Sequence, residues 1–429
     1  MLTAPMRALR GAVFVSFLAA ATAVATADTP APGYQVSAIP APALFALTCS
    51  LPGGDLVTFD GQSLDRWTSS GAFVANLATL PNLYFVGSLS VSLDGSLVAF
   101  GESTNGDLFL AQSDGSGFVP LANLPFNYDS AWTSNNELIV SAALGGWGTG
   151  NDLVRVVISP FSMTPIGHVD GASGPVVLAP NGDLYYATQS DQPGPPPDTT
   201  DVLKWTAAQV QSGGLTQANA QTICAGFDGG SSLAFDPIMG RVYLAETNFG
   251  MGLNRIVRVG ATPATSPTVL DGDNYISDLD ILPSGGLGSF DPWQPADGRS
   301  MRYNTGLDIA TLKPRRPVLA LSGPGLTGPG LVTFTVHGGV PNGTMFLTAC
   351  PQAFVLPTPS AYALPTFLFV TPFTLDKTRR GPGLIPLDAT GKGTLTLNNP
   401  GNLQGQYAWQ FFVGDAGGIF LGSSTVAQF

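Results

Sequence analysis

From about residue 34 to residue 305, short apolar runs alternate with turns that contain Gly, Asp or Asn, and the alternation repeats. The first apolar residues of one recurring strand are spaced by 41, 41, 46, 58 and 45 residues. A period of this length is typical of folds in which each repeat packs on its neighbour. The six copies of this strand, each with its preceding turn, are GGDLVTF at 53–59, DGSLVAF at 94–100, NNELIVS at 135–141, NGDLYYA at 181–187, MGRVYLA at 239–245 and GGLGSF at 285–290.

A further strand follows each copy, and five of these six strands carry a basic residue at the third position. We interpret the basic residues as structural, because a long aliphatic stem can cover apolar surface between repeats while its charged head reaches water. The strands are LDRW at 64–67, LFLA at 108–111, LVRV at 153–156, VLKW at 202–205, IVRV at 256–259 and SMRY at 300–303, and the basic residues are Arg66, Arg155, Lys204, Arg258 and Arg302.

The whole repeat is predicted to contain four short strands joined by tight turns. Four-stranded antiparallel units that recur six times are typical of a β-propeller. Residues 33–47 align with residues 117–131, which places one last strand ahead of the first unit. We therefore predict an all-β fold with a six-bladed β-propeller closed by an N-terminal strand. In this arrangement Tyr34 to Ile39 completes the sixth blade, whose inner three strands come from residues 276–305.

One segment, SLAFDPIMGRVYLAETNFGMGLNRIVRV at 232–259, resembles an NHL-type repeat. Such a repeat has a GLAFD-like strand, a VYVADT-like strand and an NRI triplet. Here Ala245-Glu246-Thr247-Asn248 and Asn254-Arg255-Ile256 match, with an insertion at Phe249–Leu253 between them. The resemblance, shared with gluconolactonase-like propellers, implies the propeller fold over roughly 270 residues and leaves the chemistry open.

Both ends of the chain differ in composition from the repeats. Arg7 and Arg10 precede an apolar run at 11–24 and a small-x-small cleavage pattern at 25–27, which is typical of a secretory signal peptide. The alternative, an uncleaved membrane anchor, needs a longer apolar run. After a Pro- and Arg-rich linker, short β-prone runs alternate with Gly and Pro, as in a β-sandwich. The predicted domains are a signal peptide at 1–27, the propeller at 28–313 and a C-terminal β-sandwich-like domain at 314–429.

Charge and composition limit the classes of partner that the protein is expected to bind. Hydrophobic residues make up 44% of the chain and charged residues 11%, which disfavours disorder and long solvated helices. Residues 28–313 hold 9 basic and 26 acidic residues, a net charge of −17, which argues against nucleic acid and anionic membranes. The acidity favours cations or basic partners, or else serves solubility alone. We expect a monomer that is secreted or periplasmic and has no transmembrane segment once the signal is cleaved.

Catalytic and redox chemistry has few candidates. The chain has only two histidines and three cysteines, and it has no GxSxG, HExxH, P-loop or CxxC motif. His168 and His337 fall in different predicted domains, so a Ser-His-Asp site is not expected. We interpret Cys49, Cys224 and Cys350 as buried small hydrophobic residues. The sequence therefore favours a non-catalytic binding or scaffold protein over an enzyme.

Loop variation points to one face of the predicted propeller. In such a fold the loops between blades and the loops between second and third strands open on the same side. Aromatic and acidic residues gather in these loops, as in sites that bind a carbohydrate, a peptide or a protein. The alternative is ordinary loop decoration with locally packed aromatics. The candidate rim residues are Tyr128, Asp129, Trp147, Phe249 and Trp293.

A calcium site is a further possibility. An acidic cluster fails the EF-hand pattern and is either a generic calcium site or a solvated loop. Its members are Asp271, Asp273, Asn274, Asp278 and Asp280.

The resemblance to gluconolactonase-like propellers implies a divalent cation at the central mouth, held by carboxylates and an asparagine. In this chain the corresponding metal candidates are Glu246, Asn248 and Asp273, with Asp129. They define the alternative function, a divalent-cation-dependent hydrolase of lactonase type. No other cofactor is expected.

Overall fold

The computed structural model describes residues 28–429 except for 32–33, 42–45, 191–198, 237–239, 249–251, 283–300, 315–317, 338–341, 352–354, 361–367, 371–383, 390, 402–406, 415–419, 423–426 and 429. The predicted signal peptide, residues 1–27, lies outside these residues. Within them the protein is nearly all β and forms many small antiparallel sheets. The prediction of an all-β fold is therefore confirmed.

Two short strands open the described chain, and both pair with strands far along the sequence. They are β1 (Thr29–Pro30) and β2 (Tyr34–Pro40). Three sheets follow, each formed by four consecutive strands. Sheet 1 has β3 (Leu47–Ser50), β4 (Leu56–Phe59), β5 (Ser63–Trp67) and β6 (Phe73–Thr79); sheet 2 has β7 (Val86–Val91), β8 (Leu97–Glu102), β9 (Asp107–Gln112) and β10 (Phe118–Asn123); sheet 3 has β11 (Asp129–Ser134), β12 (Glu137–Ala142), β13 (Asn151–Val157) and β14 (Ser162–Val169).

Three more sheets complete the region up to residue 314. Sheet 4 has β15 (Val176–Leu178), β16 (Leu184–Ala187), β17 (Thr199–Trp205) and β19 (Gln221–Asp228). Between β17 and β19 the chain forms the helix α1 (Ala207–Ser212) and the short strand β18 (Leu215–Thr216), and β18 pairs with β14 of sheet 3. Sheet 5 has β20 (Ser232–Asp236), β21 (Arg241–Asn248), β22 (Leu253–Arg258) and β23 (Thr268–Asp271), with β1 on its edge; sheet 6 has β24 (Asp278–Ile281), β25 (Met301–Asn304) and β26 (Asp308–Pro314), with β2 as its fourth strand.

The apolar core lies between the sheets. Five clusters of buried apolar side chains each join two successive sheets, from sheets 1 and 2 through to sheets 5 and 6. The first strands of the six sheets contact one another in a cycle, since β24 contacts both β20 and β3. Burial between sheets is thus the main apolar contribution to stability in this region.

Turn chemistry explains where strands end. In the turn after β7, the Asp94 carboxylate accepts the backbone N–H of Ser96 at 2.9 Å. Gly95 follows with φ of +76°, and a Cβ there would lie 2.5 Å from Pro52. Glycine is required at this position both by its backbone conformation and by this close approach.

Five of the six repeats are aligned correctly by the sequence. Their first apolar residues lie on the second strand of sheets 1 to 5. These residues are Leu56, Leu97, Leu138, Leu184 and Val242.

The sixth repeat was aligned wrongly. SMRY, predicted as a third strand, forms the second strand of sheet 6, between β24 and β26. The third strand, β26, lies wholly beyond residue 305, where the inner strands of the sixth blade were predicted to end. GGLGSF lies outside the described residues. Arg302 therefore does not share the position of Arg66, Arg155, Lys204 and Arg258, which do lie on third strands.

Two of the basic side chains on third strands form hydrogen bonds to backbone carbonyls outside their own sheet, in addition to any contact with water. Arg66 pairs with Asp55 at 2.7 Å and donates to the carbonyl of Ser113 in sheet 2 at 3.1 Å. Arg155 donates to the carbonyl of Val210 in α1 at 2.6 Å. Both side chains thus connect their own sheet to backbone that belongs to the following repeat.

The C-terminal part forms separate sheets. One contains β27 (Val318–Ser322), β28 (Gly330–His337) and β33 (Gly393–Asn399). A second contains β29 (Thr344–Pro351), β32 (Leu384–Pro386), β34 (Tyr407–Gly414), β35 (Phe420–Gly422) and β36 (Ala427–Gln428), and a pair is formed by β30 (Val355–Ser360) and β31 (Leu368–Val370). A small apolar cluster includes Phe334 from the first of these sheets and Met345 from the second.

Strand β2 closes sheet 6, as the sequence predicted for residues 34–39, and pairs with β26 along its whole length. A chain that begins at residue 41 should expose the edge of β26, aggregate and melt lower by on the order of 10 °C. A chain that begins at residue 32 lacks β1 alone and is the matched control. Thermal unfolding followed by circular dichroism measures both, and equal melting temperatures would show that β2 is dispensable.

Candidate functional site

The first strands of the six sheets surround two connected cavities. The upper one, here called the mouth cavity, has a volume of about 470 Å³ and lies where these strands begin. The lower one, the channel, has a volume of about 520 Å³ and is lined by residues of all six first strands. Leu89, Asp129, Ser232 and Asp278 line both, so the mouth cavity opens into the channel.

One side of the mouth cavity is apolar. Its side chains come from sheets 1, 2 and 6. This apolar wall consists of Leu47, Val86, Leu89 and Leu307.

The opposite side is polar and hydrogen-bonded. The hydroxyl of Tyr128 donates to the carbonyl of Ser231 at 2.9 Å, which joins sheet 3 to sheet 5 across the ring. Tyr275 hydrogen-bonds to Tyr128, Ser231 and Thr247. Two phenols are thus fixed beside the carboxylates of the cavity.

Three carboxylates of the first strands hold the neighbouring first strand by its backbone. Asp129 accepts the N–H of Val176 in sheet 4 at 2.9 Å. Asp278 and Asp280 accept the N–H groups of Thr48 and Ser50 in sheet 1, both at 3.0 Å. Such bonds strengthen when the carboxyl is ionised. They fix the carboxylates to the ring itself, so they are set in place by the fold.

The junction of sheet 6 with sheet 1 carries further polar contacts. Arg302 donates to the hydroxyl of Ser50 at 2.7 Å, and the amide of Asn304 donates to the carbonyl of Ala46. Arg302 is 5% exposed, so its guanidinium is held inside the protein.

Asp129 and Asp278, here called the acidic pair, have strongly altered acidities. Burial raises the pKa of Asp129 to about 7, against the lowering effect of its backbone N–H partners. Burial, and then repulsion from Asp129, raise the pKa of Asp278 to about 8. Burial also raises the pKa of Asp280. The acidic pair therefore exchanges protons near neutral pH, which is unusual for aspartate and common at functional sites.

Exposed apolar side chains surround the mouth cavity. They lie in loops between sheets or between second and third strands, which open on the face where the first strands begin. Phe126 adopts a φ of +53°, a strained conformation for a bulky residue, and its ring meets Trp147 edge-on at 6.1 Å. This rim comprises Leu83, Phe85, Phe126, Leu144, Trp147 and Leu307.

The predicted binding residues divide into three groups. Tyr128 and Asp129 line the mouth cavity. Trp147 is 61% exposed on the rim. Phe249 and Trp293 lie outside the described residues.

The predicted metal residues are placed apart from the cavity. Glu246 is 1% exposed and pairs with Arg255 at 2.7 Å. Asn248 donates to Asp228 at 2.7 Å, and Asp228 in turn donates its N–H to Glu246 at 3.0 Å. Asp273 is exposed and donates its N–H to Asp28. The three are not among the residues that line the mouth cavity or the channel. In the part of the chain that the structure describes, no group of three or more His, Cys, Asp or Glu residues could hold a metal ion.

Asp278 and Asp280, which line the candidate site, are the residues that sequence reasoning placed in a loop cluster. They lie instead on β24, and their alternation with Leu279 and Ile281 is the signal that marks them as strand residues on one face. Cys49 and Cys224 are buried and unpaired, as predicted, and Cys350 has no described side chain. His168 is half-exposed and pairs with Asp152 at 2.9 Å.

Comparison with known proteins gives a likeness of fold. No family model matches the sequence, and no curated protein matches it significantly. A gluconolactonase from Xanthomonas campestris is 11% identical, with a TM-score of 0.48 over 68% of this chain and 99% of that one. The PQQ domain of pyranose dehydrogenase from Coprinopsis cinerea is 9% identical, with a TM-score of 0.47 over 67% and 97%. A chain of a nidogen/laminin complex is 10% identical, with a TM-score of 0.43 over 58% and 85%. The resemblance to gluconolactonase-like propellers is thus one of fold, and no residue role is transferred.

Among the described residues, no helix has the length and apolar character needed to span a membrane.

The raised acidities predict a pH-dependent stability. Because the folded-state pKa values of the acidic pair exceed the ordinary value near 4, stability should fall as pH rises from about 4 to 8. Asp278→Asn removes one charge and keeps an oxygen for the N–H of Thr48. The variant should match the wild type at pH 5 and exceed its unfolding free energy at pH 8.5 by on the order of 1–3 kcal/mol. Urea unfolding at pH 5, 7 and 8.5 measures this.

The control for charge is Asp114→Asn, at an exposed turn where hydrogen bonds from Ser116 lower the pKa of the carboxyl. It should not gain stability at high pH. Parallel pH profiles for Asp278→Asn and the wild type would contradict the assignment.

Proposed function

We propose that sheets 1 to 6 are the six blades of one β-propeller and that residues 314–429 form a β-sandwich-like domain. The cycle of contacts between first strands supports the propeller, and β2 supplies the outer strand of the last blade. For the C-terminal domain, the support is the apolar cluster that Phe334 and Met345 share across two sheets.

We further propose that the protein is a non-catalytic binding protein whose ligand enters the mouth cavity from the rim. The observation that carries this proposal is a cavity of about 470 Å³ lined by both apolar and hydrogen-bonded polar side chains. Ligand sites are concave, largely apolar and marked by a few fixed polar groups, and their volumes are usually about 300–1,000 Å³. The mouth cavity has each of these properties.

The rim extends this site outward. Exposed apolar side chains beside a cavity mark surfaces that contact a partner. Trp147 and Phe126 form an aromatic edge, and aromatic side chains at such positions commonly contribute much of a binding energy. The ligand then contacts the rim with its outer part, as a peptide, a carbohydrate or a protein segment does. Secretion or a periplasmic location, as the N-terminal sequence predicts, would present this face to extracellular ligands.

The alternative function, a lactonase-type hydrolase with a divalent cation, stays a prediction from sequence resemblance. Glu246 and Asn248 are engaged with Arg255 and Asp228, so the described contacts give that alternative no added support.

Three probes of one shape test the binding site: 4-phenylbutylamine, 4-phenyl-1-butanol and 4-phenylbutyrate. Calorimetric titration should detect one-to-one binding of at least one probe. Leu307→Trp places a larger ring at the mouth, and Leu307 is 42% exposed, so folding should be preserved. Binding should weaken by about tenfold or more, because the added ring occupies the entrance.

Leu331→Trp is the matched control, since Leu331 is an exposed leucine of the C-terminal domain. It should bind the probes as the wild type does. If none of the three probes binds, or if Leu307→Trp binds them unchanged, the mouth cavity is not the site.

A further inference from the structure

We infer that the mouth cavity is built for a primary ammonium group carried on an apolar body. The ammonium would lie between Asp129 and Asp278, and the body would lie along the apolar wall. This inference rests on the proposed function, because it names the ligand class of the same site.

The acidic pair has no cationic partner within the described residues. Four ion pairs between Lys or Arg and Asp or Glu, and one contact between His168 and Asp152, are formed in that part of the chain, and neither member takes part in any of them. Arg302 lies deeper, bonds to Ser50, and its charge acts on Asp280 and Cys49. Two carboxylates that line one cavity are costly to ionise without a counter-charge. A ligand cation would supply it.

The acceptor geometry favours a compact cation. In Asp129, one oxygen accepts the N–H of Val176 and the other that of Ser130. In Asp278, one accepts the N–H of Thr48 and the other that of Leu279. Each oxygen keeps a second lone pair, so further donors can be received without breaking the ring contacts.

This arrangement distinguishes ammonium from guanidinium. A guanidinium forms parallel bonds to both oxygens of one carboxylate, and here each of those oxygens already accepts a backbone N–H. An ammonium has three diverging donors on one nitrogen and can therefore donate to carboxylates on different strands. The apolar wall then contacts the carbon chain, which a highly hydroxylated ligand would leave unused.

The charge of the surrounding domain favours the same ligand class. Residues 28–313 carry a net charge of −17. An acidic body draws cations toward it over distances set by the salt concentration, with screening beyond about 8 Å at physiological ionic strength.

The three probes separate charge from shape. At pH 8, 4-phenylbutylamine should bind at least about tenfold more tightly than 4-phenyl-1-butanol, with 4-phenylbutyrate the weakest. Asp129→Asn and Asp278→Asn should each weaken the amine by at least about tenfold and leave the alcohol unchanged. Asp114→Asn, the exposed-turn variant, should leave all three affinities unchanged.

Proton release gives a second readout. The titratable groups near the acidic pair are Tyr128, Tyr275, Asp280 and Cys49. Burial raises the pKa of each, so both phenols and the thiol stay neutral at pH 8. Because the ammonium favours ionised carboxylates, the amine should bind at least about tenfold more weakly at pH 5 than at pH 8. At pH 7 its binding should release protons, measured by calorimetry in buffers of different ionisation enthalpy. Binding of the alcohol should release none.

The outcomes distinguish this inference from the proposed function. If amine and alcohol bind equally and Leu307→Trp weakens both, the cavity is a binding site and the ammonium inference is wrong. If the amine is preferred but both Asn variants bind it unchanged, the inference is also wrong. A lysyl tripeptide blocked at both ends identifies the source: tighter binding than the free amine indicates a peptide ligand, and weaker binding indicates a free alkylamine.

Discussion

The closure of the chain on itself depends on hydrogen bonds from backbone N–H groups to carboxylates of the neighbouring first strand. Asp278 and Asp280 reach Thr48 and Ser50 across 230 residues of sequence. Five apolar clusters join successive sheets, whereas the junction of the last sheet with the first carries these polar bonds, Arg302 and the strand β2. Closing so long a loop has an entropic cost that grows slowly with length. These hydrogen bonds, at about 1 kcal/mol each and more when the carboxyls are ionised, offset part of that cost.

The same bonds hold two titratable carboxyls in the mouth cavity. Asp129 and Asp278 begin the first strands of sheets 3 and 6, and the proximity of Asp129 raises the proton affinity of Asp278. A carboxylate that served closure alone would be more stable beside a cation, as Asp55 is beside Arg66. Two ionised carboxylates without a cationic partner lower the stability of the folded protein above neutral pH. That loss is typical of sites whose polar groups are arranged for a ligand.

Local sequence signals explain what could be predicted. Turns followed by apolar residues such as Leu97 and Leu138 recur regularly, and each of these residues lies on the expected strand, because hydrophobic alternation and turn chemistry are local properties. The sixth repeat departs from the period, so its strands were assigned to the wrong segments. Pairing of β25 with β24 and β26 is set by neighbours that the period does not reveal.

The candidate site was predicted in part for a similar reason. Tyr128 and Asp129 follow from their place in a loop between sheets, where first strands begin. Asp278 looked like part of a solvated cluster, because its sequence neighbours include other acids. Its raised pKa comes from burial in the cavity and from Asp129, which is remote in sequence, and it is raised despite the N–H of Thr48, which favours the ionised form. A residue's acidity is a property of its spatial neighbours, so a pattern along the chain does not determine it.

The starts of the six first strands together supply much of the candidate site. The first residues of these strands are Leu47, Val86, Asp129, Val176, Ser232 and Asp278. The cycle of contacts between first strands brings these strand starts together. Aspartates at the starts in sheets 3 and 6 give the mouth cavity its acidic lining, while apolar residues at the starts in sheets 1 and 2 give part of its apolar lining. Differences at the strand starts thus shape the cavity, and the strands behind them form the core between sheets. Fold and recognition are thus carried by different parts of each repeat, which allows the ligand site to be changed without changing the packing between sheets.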